Sequence, residues 1–267
     1  MLPAGLRAGQ EIAAFAHHTA GHYQVYAQSG RERAAHVNGF MNEMLKQYSR
    51  FFSNWAFKDG ARVIVFSDAD AFRAYASSLK TAMHPNTTGY CHLKTDEDGN
   101  TFHELVTYDH ADLWQVLAHE GFHQFIGYEL GAAIPIWLNE GMAQYFETSI
   151  VVSGKLQTGI IDRRRLLAAQ HFIRQKKAMS LMELVQMDKP TFYANAETAY
   201  PASWALVYYL INREGSLYRN SAFKRYLQDL KYGKNAIGSF QQRFGRDIAR
   251  WQPDFEQFIL QLKPPQN

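Results

Sequence analysis

The chain has 267 residues, 46% of them hydrophobic and 14% aromatic, which is enough to bury a core and too apolar for a disordered chain. A net charge of +3 is too mild to point to a nucleic-acid partner. The single cysteine, Cys91, excludes an internal disulfide framework and any cysteine-built zinc site.

Residues 1–21 read as a lead-in segment and 22–267 as one domain, with an α/β lobe over 22–111 and a helical lobe over 112–267. The lead-in lacks a charged start followed by a continuous apolar block, so it does not read as a signal peptide. No apolar run reaches the length of a membrane span. His22 to Gln28 alternates and is rich in β-formers, so a strand is expected there. Arg31 to Phe52 has helical spacing, Arg62 to Ser67 is a buried-type strand, and Ser67 or Asp68 caps a helix running to about Leu79. Gly89 to Leu93 and His103 to Tyr108 read as two strands joined through KTDEDGNT, with Gly99-Asn100 as the turn. Asp96, Asp98 and Asn100 imitate the start of a calcium loop, but the later ligands are missing.

From Asp112 onward the pattern predicts almost only helix. Segments are expected at 112–126, from Pro135 to about 148, and at 162–177, 180–187, 198–213, 218–231, 234–244 and 247–261. Strands with helices, followed by helices alone, give an α+β fold with a small N-terminal sheet, a mainly helical C-terminal part and a cleft between the lobes.

The chemistry concentrates in Trp114 to Glu147. His119 and His123 are four apart, so both imidazoles fall on one helix face, and Glu120 is offset by one residue. In this H-E-x-x-H pattern two His bind a zinc ion and the Glu takes a proton from a metal-bound water. Sixteen residues separate His123 from Glu140, which sits in WLNEGMAQYFE and supplies a third ligand if a second helix returns it to the ion. Gln144 and Glu147 lie near the Glu140 face of that helix and are candidates for orienting the ligand imidazoles. Asn139 reads as a helix-start or turn residue, not a ligand. Arg163-Arg164-Arg165 reads as a solvated basic face, and His171 as a surface residue. His103 to Tyr108 is either an inner strand or an unpaired edge that an extended peptide could join. No G-x-S-x-G elbow or P-loop is present.

The two metal segments resemble the gluzincins, zinc peptidases whose third ligand is a Glu on the helix after H-E-x-x-H. WLNEGMAQYFE is similar to the N-E-G-x-A segment of aminopeptidase-N-type enzymes. IPIWLNEG and TAYPASWALVYYL are closer to bacterial peptidase-MA-like proteins. The resemblance implies a zincin-like fold, one Zn²⁺ per chain on His119, His123 and Glu140, and Glu120 as general base. It also implies a peptide or protein substrate, and a tyrosine from a later helix as donor to the developing oxyanion. Tyr200 takes that last role here, with Tyr193 behind it. The sequence lacks a G-x-M-E-N segment for gripping a free N-terminus, which favours endopeptidase-like cleavage. The resemblance also tilts toward an extracytoplasmic setting. Two other readings stay open: a gluzincin-fold binding or scaffold protein without activity, and a zinc hydrolase of non-peptide amides or esters.

Overall fold

The computed structural model describes residues 12–52, 57, 60–79, 84–95, 99, 101–131, 134–152, 155–213 and 216–265. The fold is α+β, an N-terminal mixed sheet of five strands followed by a mainly helical C-terminal part. By contact the chain falls into two compact units, Met1–Tyr48 with Ala56–Tyr128, and Ser49–Trp55 with Glu129–Asn267.

In the first unit, β1 (Ala16–Ala20) and β2 (Tyr23–Ala27) form an antiparallel hairpin. Helix α1 (Arg31–Ser49) leads to β3 (Ala61–Phe66), parallel to β2. Helix α2 (Ala69–Ser78) then leads to the antiparallel pair β4 (Gly89–Thr95) and β5 (Thr101–Tyr108), with β5 parallel to β3. The strand order is β1-β2-β3-β5-β4. The start of α2 is as expected, with the Asp68 side chain accepting from the backbone N–H of Asp70 and Ala71.

Two sequence expectations need correction here, and one open alternative is resolved. Residues 16–20, taken as part of a lead-in, form β1. Its side chains are mostly exposed, so no apolar alternation marks it. The hairpin is instead tied down by α1: Asn42 donates to the Ala20 carbonyl and accepts from the His22 N–H, while buried Asn38 donates to the carbonyls of Ala20 and Tyr23. Of the two readings of His103 to Tyr108, the inner strand is the one found, because β5 lies between β3 and β4. The edge strand beside it is β4. The second correction is a hairpin, β6 (Ile150–Val152) with β7 (Lys155–Gln157), inside the stretch expected to be almost wholly helical. Strands of three residues are too short to carry a period. The turn expected within KTDEDGNT falls at 96–100, of which only Gly99 is among the described residues; it has a positive φ of 83°.

Helix α3 (Leu113–Leu130) runs four residues beyond its expected end at 126. It is fastened to the sheet by buried Gln124, whose amide donates to the carbonyls of Arg62 and His103, both at 2.8 Å. Tyr48 of α1 donates to the Ala118 carbonyl at 2.7 Å. Gly89 of β4 lets the strand approach this helix, since a Cβ there would come 2.4 Å from Val116 Cγ1 and 3.4 Å from Glu120 Cγ.

In the second unit, α4 (Ile136–Glu147) packs on α8 (Ala196–Asn212). Pro135 is the N-cap of α4, one place before the first helical position expected for it. Helices α5 (Arg163–Arg174), α6 (Leu181–Gln186) and α7 (Lys189–Ala194) lie between them in sequence. After α8 come α9 (Ser216–Lys231), α10 (Ala236–Phe244), a 3-10 turn at Ile248–Trp251 and α11 (Gln252–Gln261). Trp137 of α4 stacks on Tyr226 and meets Phe240 edge to face, giving this unit an aromatic core. Among the described residues, no helix is long and apolar enough to cross a membrane.

The contact between α4 and α8 depends on Gly141, next to Glu140. A Cβ at Gly141 would lie 2.6 Å from the Ser203 carbonyl oxygen and 2.7 Å from Val207 Cγ2. The first neighbour is backbone and cannot rotate away. Gly141→Ala is therefore expected to destabilise the protein by about 1–3 kcal/mol, although alanine is the better helix former. Urea unfolding measures this, and unchanged stability would mean that the two helices do not approach so closely.

Candidate metal centre

The helical period of α3 carries His119 and His123 to one face, one turn apart. Their Nε2 atoms are 3.1 Å from each other, with the rings inclined at 81°. Two neutral imidazole nitrogens facing each other at that distance need either a proton or a cation between their lone pairs. Glu140, on α4, is 4% exposed. One ligating atom from each of His119, His123 and Glu140 lies within 4.8 Å of the other two.

This donor set suits a small divalent cation. Two ligands about 2.1 Å from a tetrahedral ion stand roughly 3.4 Å apart, near the imidazole separation. His₂Glu with a fourth position open is a known zinc set, whereas hard cations such as calcium and magnesium call for oxygen ligands. The three side chains thus form a candidate metal site.

Glu120 is partly buried on α3, beside Gly89 of the edge strand β4. Two residues along β4 from Gly89, on the same strand face, is Cys91, whose thiol is pushed well above its ordinary range, first by burial and then by the negative charges of Glu120 and Glu104. A thiol held protonated in this way is a weaker nucleophile than an ordinary cysteine.

The remaining candidates separate into different surroundings. Gln144 donates to the Glu140 backbone carbonyl at 3.1 Å and accepts from Arg165 Nε at 2.6 Å. Glu147 pairs with the same Arg165 at 2.7 Å, as does Asp162 at 2.9 Å. Arg165 therefore ties the end of α4 to the start of α5 and is not part of a solvated basic face, unlike exposed Arg163 and Arg164. Tyr200, partly buried near the start of α8, packs its ring on Phe192 with centroids 5.1 Å apart. Tyr193, ranked behind it from the sequence, donates from its hydroxyl to Glu140 Oε1 at 3.1 Å.

Sequence reading missed α7, which carries Tyr193, although Asp188 followed by Pro190 is a helix-start signal. Six residues are too few for an apolar period to show. It also missed Gln124, whose partners are backbone carbonyls on two separate strands and leave no local pattern.

Residues 107–230, which include all three candidate ligands, match the model of a family described as a protein of unknown function, DUF1570. No curated protein matches the chain.

Proposed function

We propose that the protein is a zinc-dependent peptidase of zincin-like fold, with His119, His123 and Glu140 as ligands and Glu120 as the proton acceptor. The observation that carries this reading is the convergence of the two imidazoles and one buried carboxylate, with a further carboxylate adjoining the first imidazole in sequence. Zinc held there supplies a bound water acidic near neutrality, with a pKa of about 7, and polarises a carbonyl. Glu120 takes up one proton during attack and gives it to the leaving amine. Tyr200, near the start of α8, is the donor to the developing oxyanion in this reading.

Strand β4 supports an extended peptide as the substrate. It is an edge strand, and its Gly89 adjoins Glu120. An edge strand presents unpaired backbone groups that a peptide can join by strand addition.

Metal analysis of the purified protein is expected to give about one zinc per chain, and His119→Ala or His123→Ala to abolish it. Cleavage of a broad peptide library by the zinc-loaded protein completes the test. Bound zinc without cleavage of any peptide, amide or ester would leave a binding protein, and cleavage of non-peptide substrates alone would redirect the activity.

A further inference from the structure

We infer that Tyr193 is a positioning residue for the metal centre, its hydroxyl holding one oxygen of Glu140 so that the carboxylate meets the ion through the other. This rests on the reading of His119, His123 and Glu140 as ligands. A carboxylate as buried as Glu140 requires donors for its lone pairs, and the Tyr193 hydroxyl is one such donor, 3.1 Å from Oε1. A phenol donating to an ionised carboxylate makes a charge-assisted bond, which both orients the group and lowers the cost of keeping it charged. Engaging one oxygen also disfavours bidentate binding, which would take up the position needed by water.

The surroundings of Tyr193 show why its hydroxyl can be held there although the residue is 45% exposed. It sits on α7, whose first turn is fixed by Asp188 accepting from the Thr191 N–H and by a proline. The ring meets buried Phe192 edge to face at 5.8 Å, and Phe192 in turn packs on Tyr200. From the same helix, the Lys189 ammonium lies 5.9 Å from the Tyr193 ring centroid. A short helix joined to α8 at Asn195 thus delivers a phenol to a ligand on α4, and the aromatic contacts limit where that ring can go.

The test uses the full chain and reads metal binding apart from turnover. Zinc affinity is measured by competition with a chromophoric chelator, and the visible spectrum is recorded after loading with cobalt. Tyr193→Phe keeps the ring and is expected to weaken zinc binding about 10–100-fold and to change the cobalt bands, while Tyr200→Phe stays within about threefold of the parent. The cobalt spectrum reports the geometry at the ion, which a loss of packing alone would not alter. Unchanged affinity and an unchanged spectrum in Tyr193→Phe, with one zinc bound by the parent, would overturn this role and leave the metal centre standing. A parent chain that binds no zinc would overturn both.

Discussion

Glu120→Gln is expected to bind zinc as the parent does and to lose peptide hydrolysis by a factor of about 10²–10⁴. The substitution keeps the shape of the side chain and removes its capacity to accept a proton. Glu120 is the residue after His119 on α3, so the amide changes neither the helix nor the candidate ligand atoms of His119, His123 and Glu140. Metal content and turnover must be measured on the same preparation, because a loss of both would point to a damaged site. Retained hydrolysis with normal zinc would remove Glu120 from the reaction and with it the assignment of a general base.

The largest stability effect is expected at Glu104. This carboxylate is fully buried at the centre of β5, flanked by β3 and β4. It accepts from Tyr75 and Lys94 at 3.0 Å and contacts His92 Nε2 at 3.1 Å, with Arg62 at 3.5 Å. Arg62 lies over the Phe102 ring, 4.6 Å from its centroid, which keeps the guanidinium near the strand. Burial alone would raise the Glu104 carboxyl, but the His92 hydrogen bond and the Lys94 ammonium outweigh it and hold the group below the usual carboxylate range.

A carboxyl whose folded pKa lies below its unfolded one binds fewer protons when folded. Its contribution is therefore complete above the unfolded value of about 4.3 and is lost as pH falls through the lower folded value. Glu104→Gln removes the charge and leaves Lys94, Arg62 and His92 facing a neutral amide. We expect it to cost about 2–3 kcal/mol near neutral pH, less than the ~3–5 of a fully buried pair because its cationic partners are partly hydrated. Urea unfolding of both proteins at about pH 7 and at about pH 3.5 checks the size and the sign, since the difference should shrink in acid. A difference independent of pH would mean that the charge of Glu104 does not stabilise the sheet.

Much of the site is legible in the sequence. The spacing of His119 and His123 places both on one helix face because the helical period is fixed by backbone geometry. The Asp68 cap and the long helices were equally legible, since each depends on residues a few positions apart. Elements without a local period were not. The exposed hairpin strand β1, the short β6–β7 pair and the six-residue α7 all escaped notice for that reason.

The sequence by itself determined the α+β order of elements and the pairing of two imidazoles on α3, because both follow from periodicities internal to one segment. Tertiary structure alone decided whether the Glu140 carboxylate named from the sequence comes near them, and which tyrosine touches that carboxylate. It also decided that β5 is an inner strand and that Gln144 and Glu147 meet Arg165. Those pairings join residues up to 53 positions apart, as for Tyr193 and Glu140, and such distances are closed by packing, with no trace in local composition.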